Sequence, residues 1–182
     1  MPIFNVQKIT TGDKTAVTFA YNDYSSMIFT NTHATDAVTI DLYATSQVGT
    51  DITATLVYAA ETEAVSTDSV TLTVDNGSGS ASVAANDAFL NERIYKSDGT
   101  FLGICTTVTS TTVLVFSGGL SNTITDNDIL HTGTRYHFLN NVKIPNGASL
   151  KLTSDEFNFD SNNYNLYIDS NSSTGAIDII TR

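Results

Sequence analysis

A two-residue alternation of apolar and polar side chains recurs along most of the chain. It is interrupted every few residues by turn-forming pairs. AVTIDLYA sets Val38, Ile40 and Leu42 on one face and Thr39, Asp41 and Tyr43 on the other. Only an extended strand has that period. DITATLVY places Ile52, Ala54 and Leu56 together, and SVTLTVDNGSG alternates Val70, Leu72 and Val74 before the turn pair Asn76-Gly77. RYHFLNNVKIPNGASLKL reads as two strands around Pro145-Asn146-Gly147, with Pro presetting φ and Gly taking the left-handed position. TTVLVFSGG, NYNLYI and GAIDIITR are further strands. Only ANDAFLNERI suggests a helix, of about one turn, capped by Asn86 or Asp87. The pattern predicts an all-β protein of roughly a dozen short strands, spaced as in a sandwich or barrel.

Two polar stretches divide the pattern, ETEAVSTDS near 61–69 and SNTITDNDILHTGT at 121–134. The flanks 1–62 and 132–182 each hold too few strands for a two-sheet core. The expected organisation is therefore an antiparallel, jelly-roll-like β-sandwich built from 1–62 plus 132–182. A small β-barrel, 63–131, is inserted between them, since closure entropy rises only slowly with loop length.

The block RIYKSDGTFLGICTTVTSTTVLVF holds the single cysteine, Cys105. A turn at Ser97-Asp98-Gly99 pairs Ile94 with Leu102 and Tyr95 with Phe101, Gly99 supplying a positive φ. If Gly103 bulges, Cys105 joins Leu102 and Val108 on the inner face; if it does not, Cys105 shares a face with Phe101 and Thr107. A nucleophilic thiol needs a helix N-terminus or an adjacent base. Cys105 lies inside a strand with no basic neighbour in sequence, so it reads as a packing residue.

His33, His131 and His137 match no zinc-binding spacing. TDNDIL offers Asp126, Asn127 and Asp128, and SDEFNFDSNN offers Asp155, Glu156 and Asp160. Neither follows the twelve-residue calcium loop, and runs of Asp and Asn commonly form turns. GSGS and SGGL lack the Lys-Ser/Thr and the helix that a phosphate loop requires. No catalytic residue, cofactor site or metal site is assigned. The aromatics Tyr21, Tyr24, Phe29, Tyr136, Phe138, Phe157, Phe159, Tyr164 and Tyr167 cluster towards the two chain ends, as core and interface candidates.

Eight basic residues face 19 acidic ones, for a formal net charge of −11. The basic residues are scattered, which argues against nucleic-acid binding. The acidity favours solubility and docking on a basic neighbour. No apolar run approaches the ~20 residues of a membrane span. MPIFNVQKITTGDKT lacks the basic start and apolar core of a signal peptide.

MPIFNVQKITTGDKT, AVTIDLYA, YHFLNNVKIPNGASLKL, FNFDSNNYNLYI and AIDIITR together resemble small all-β virion structural proteins of tailed bacteriophages, especially marine ones infecting cyanobacteria. IYKSDGTFLGICTTVTSTTVLVFSGGL is similar to the little β-barrel modules inserted in many phage structural proteins. There the position of Cys105 usually holds an apolar core residue. The resemblance implies a non-enzymatic virion protein, a capsid decoration protein or a neck or tail component, soluble before assembly. Its partners would be other virion proteins and symmetric copies of itself, with Tyr43, Tyr136 and Phe138 as interface anchors. The competing expectation is a carbohydrate- or host-surface-binding module of a tail fibre.

Overall fold

The computed structural model describes residues 5–12, 14–18, 26–60, 70–77, 89–157, 159–172 and 174–182. The strands among them, in chain order, are β1 (Asn5–Ile9), β2 (Thr15–Ala16), β3 (Ser26–Asn31), β4 (Val38–Ser46), β5 (Ile52–Ala59), β6 (Thr71–Asp75) and β7 (Arg93–Tyr95). They continue as β8 (Phe101–Ser110), β9 (Val113–Phe116), β10 (Ile129–Gly133), β11 (Arg135–Ile144), β12 (Ser149–Thr153), β13 (Tyr164–Ser170) and β14 (Ile177–Thr181). The protein is all-β, and the ladders of described register run antiparallel. The expected linker at 61–69, the candidate helix caps Asn86 and Asp87, and Tyr21 and Tyr24 lie outside the described residues.

The chain forms two compact units, one from Met1–Thr45 with Arg135–Arg182 and one from Ser46–Thr134. The first contains two four-stranded sheets, ordered β1-β14-β3-β12 and β11-β4-β13-β2. If its eight strands are counted alone, these sheets read first-eighth-third-sixth and fifth-fourth-seventh-second. That is the double Greek key of a jelly roll. β14 lies between β1 and β3 and bonds to both, Ile179 facing Gln7 on one side and Phe29 on the other. Alternate residues of both sheets meet in one core that includes Ile9, Met27, Phe29, Ile40, Leu42, Ile168, Ile177 and Ile179. Burying each large apolar side chain contributes roughly 1.5–3 kcal/mol.

The turn at Pro145-Asn146-Gly147 forms as expected, with Gly147 at φ 69° and the Ala148 amide donating to the Pro145 carbonyl at 3.0 Å. It does not make a hairpin. β11 pairs with β4 and β12 with β3, so the turn carries the chain from one sheet to the other.

In the second unit, β10, β5, β6, β9, β8 and β7 hydrogen-bond in a closed ring. Its interior holds Val57, Leu72, Val74, Phe89, Ile94, Leu102, Leu114, Phe116 and Leu130, among others. The boundaries differ from the expected 62/63 and 131/132. The ring of β6, β9, β8 and β7 would have two open edges, which expose unpaired N–H and C=O groups. β5 and β10 close it by pairing with each other and with β6 and β7, so the unit runs from 46 to 134. The polar stretch at 121–134 belongs to the barrel as well, since Ile124 and Leu130 are fully buried in its core.

Leu56, grouped with Ile52 and Ala54 by the alternation, is exposed as Ala54 is. It sits at φ 59° and is 73% exposed, where the β5–β10 register shifts between Ile129 and His131. That shift turns Val57 and Ala59 into the core in its place. In the β7–β8 hairpin, Gly99 takes φ 85° and Tyr95 faces Phe101 as expected. Ile94 faces Gly103 rather than Leu102, because the register shifts between Ile94 and Tyr95 and leaves Leu102 as the extra residue.

Segment 46–51 is tied to the barrel. The Tyr95 hydroxyl donates to the Gln47 carbonyl at 2.9 Å, and the Ser46 amide to the Thr134 carbonyl at 3.1 Å. Gly133 permits this closure, since a Cβ there would overlap the Ser46 carbonyl oxygen, a backbone atom with no rotamer to move. Gly133→Ala should lower the stability of the barrel unit by about 1–3 kcal/mol, as overpacking does. Urea unfolding followed by amide NMR signals of β8 and β9 reads this as an earlier midpoint; an unchanged midpoint would contradict the close approach.

Candidate functional site

The three sequence-predicted interface residues separate into two places within the sandwich unit. Tyr43 does not present its ring to a partner: it is 1% exposed. It lies on the side of β4 away from the core. His137 faces it across the ladder, and its ring packs 5.3 Å from that of His137 and 6.1 Å from that of Tyr167. The Arg135 guanidinium lies 4.8 Å from the Tyr43 ring centroid, and Lys14 Nζ 4.0 Å from that of Tyr167. The Tyr43 hydroxyl donates to Asp169 at 3.1 Å. Burial pushes the Asp169 carboxyl above the ordinary Asp value. The Tyr43 hydrogen bond and the charges of Arg135 and Lys14 pull the other way, and Asp41 adds to the rise. Tyr43 is thus part of a packed aromatic and charged layer on its sheet.

Tyr136 and Phe138 do reach a surface groove. Two residues apart on β11, they share one face of the strand. Tyr136 faces Ala44, His137 faces Tyr43 and Leu139 faces Leu42, which leaves Phe138 as the extra residue. Tyr136 and Phe138 then line a groove of about 250 Å³ with Ala44, Phe159, Asp160 and Tyr164. Tyr136 is 45% exposed and meets Tyr164 edge-on at 5.7 Å. The floor is firm, because Phe157 is buried, with Phe138 edge-on to it at 4.4 Å and Phe159 stacked on it at 5.9 Å.

Asp160 builds the turn that delivers Tyr164 to this groove. Its carbonyl accepts from the Tyr164 amide at 3.1 Å, and its carboxylate accepts from the Asn162 amide at 2.9 Å and Asn163 Nδ2 at 2.7 Å. These bonds hold its carboxyl below the ordinary Asp value. The sequence named Phe159 and Tyr164 as packing aromatics and Asp160 as a turn former or cation ligand. What it lacked was the long-range packing that brings Phe159, Asp160 and Tyr164 beside Tyr136 and Phe138. The two apolar residues in succession in RYHFLNNV mark the β11 bulge.

The remaining candidates have structural surroundings. Cys105 is fully buried in the barrel core with Leu102, and Val108 packs against that core. This is the face the bulged alternative predicted, with Gly103 at φ 153°. Glu156 accepts from the amide and hydroxyl of Thr153, both at 2.9 Å. Asp128 accepts from the amide and hydroxyl of Thr125, both at 3.0 Å, and pairs with Lys96 at 3.4 Å. Burial raises the Asp128 carboxyl, but these partners outweigh it and hold it below the ordinary value. The acidic runs thus close turns. Nδ1 of His33 accepts from the Asp36 amide at 3.0 Å, and His131 bonds the Ile129 carbonyl at 3.1 Å. Among the described residues, no group of three or more His, Cys, Asp or Glu side chains could hold a metal, and no helix is long and apolar enough to cross a membrane.

Comparison with protein-family models, curated proteins and solved structures returns no match.

The raised Asp169 carboxyl has a defined consequence for stability. The folded state holds this proton more tightly than the unfolded chain. The group's contribution is therefore full below the unfolded carboxyl range and is lost as pH rises through the folded midpoint. Carboxyl-carbon NMR should place the Asp169 midpoint above 3.8. Tyr43→Phe should raise it further, since the lost hydrogen bond favours the ionised form. A midpoint that is unchanged or lower in the variant would contradict the Tyr43–Asp169 contact.

Proposed function

We propose that this protein is a non-enzymatic structural component of a tailed-phage particle, a capsid decoration protein or a neck or tail component. It acts by self-association and by docking on other particle proteins. The observation that carries the reading is the strand order of the sandwich unit. It is the jelly-roll order, an architecture used by viral capsid domains, and a closed barrel is spliced into the connection between its fourth and fifth strands. A module within a module gives a particle two surfaces on one chain, each with its own core.

Three further features support the reading. The turn-and-core patterns of both blocks resemble those of phage structural proteins. A net charge of −11 keeps free copies apart before assembly and favours basic neighbours. The cysteine, histidines and acidic loops have structural partners, and none forms a nucleophile–base pair among the described contacts. Mass spectrometry of purified particles from the source phage should find this chain at a stoichiometry that follows the particle's symmetry. Its absence from particles, with the chain present in the infected lysate, would overturn the proposal.

A further inference from the structure

The groove formed by Tyr136, Tyr164, Phe138, Phe159, Ala44 and Asp160 has a chemistry more specific than an apolar dent. Four of its six lining residues are aromatic, and the only charged one is a carboxylate. The face of an aromatic ring is negative, so rings gathered around one site favour a cation. Asp160 adds a full negative charge. Its own turn orients it, through hydrogen bonds from the Asn162 amide and from Asn163 Nδ2. Those turn bonds also keep it ionised. Phe157 supports two of the rings from beneath, so the groove is formed before anything enters it.

We propose that this groove receives the cationic side chain of a partner protein, an arginine above all. A planar guanidinium can lie against the Tyr136 or Tyr164 ring while it donates to the Asp160 carboxylate. About 250 Å³ suits a single side chain rather than a folded segment. The excess of 19 acidic over eight basic residues draws a basic partner to the surface around it. This inference deepens the docking role proposed above by naming what one docking point would recognise.

The test uses the full-length protein and two small probes, N-acetyl-arginine amide and its neutral isostere N-acetyl-citrulline amide. Ring-proton NMR shifts of Tyr136 and Tyr164 report occupancy. The arginine probe should bind at least about five-fold more tightly than the citrulline probe, the scale of an exposed cation–π contact combined with a carboxylate. Asp160→Asn keeps an acceptor for the turn but loses the charge, and Tyr136→Leu keeps apolar area but loses the ring. Each should reduce arginine binding about three-fold or more and leave citrulline binding little changed. Unshifted amide signals of β4 and β13 confirm that each variant remains folded.

Equal affinity for the two probes would overturn the inference. So would an absence of ring shifts with the arginine probe, or tighter binding of a neutral methyl glycoside at the same rings. These outcomes are separable from the particle experiment. A cation-selective groove in a chain absent from particles would defeat only the virion reading, and a particle protein with an indifferent groove would defeat only this one.

Discussion

The sandwich depends on one strand that arrives last. β14 is hydrogen-bonded on both sides, to β1 and to β3, and it places Ile177 and Ile179 in the core. Without it β1 would have no partner in its sheet and β3 would bond only β12. These are contacts of very long sequence separation: Asn5 pairs with Thr181. Loop-closure entropy must be met before such pairs contribute. The unit therefore has few stable intermediates open to it, and its two sheets stand or fall together.

The barrel is built the opposite way. Its strands fall within 46–134, and half of the ring's pairings join neighbours in sequence, β5–β6, β7–β8 and β8–β9. β9 reaches back to β6, and β10 reaches back to β5 and to β7 and closes the ring. An insertion with its own core adds little to the loop-closure cost of its host. That makes this arrangement tolerable in a fold whose own contacts are so distant. The entry and exit are also tightly defined. Thr45 faces Arg135 in the sandwich ladder, while in the barrel the Ser46 amide bonds the Thr134 carbonyl.

Much of this was legible in period-two patterning. Val38, Ile40 and Leu42 are buried together, and Asn76-Gly77, Ser97-Asp98-Gly99 and Pro145-Asn146-Gly147 all turn. The boundaries were not legible, because DITATLVY has the same alternation whether it pairs in a sandwich or closes a barrel. Burial and long-range neighbours of single side chains were harder to read. Leu56 sits at positive φ where the β5–β10 register shifts, Tyr43 was expected at an interface and is covered, and Phe159 and Tyr164 meet Tyr136 and Phe138 only through the fold. A bulge costs the pattern one residue; a glycine marked the one at Gly103, and nothing in DITATLVY marked the shift at Leu56. Pairing across sheets, which sets the jelly-roll order, lies beyond any local pattern.

The central structural claim is that the sandwich unit hangs on β14 while the barrel holds itself together. Hydrogen exchange on a variant lacking residues 177–182 tests it directly. Amides of β3, β4 and β11 should lose their protection, while those of β6, β8 and β9 exchange as in the full chain. Persistent protection of β3 and β4 in the shortened chain would contradict the account, as would loss of protection in the barrel along with them.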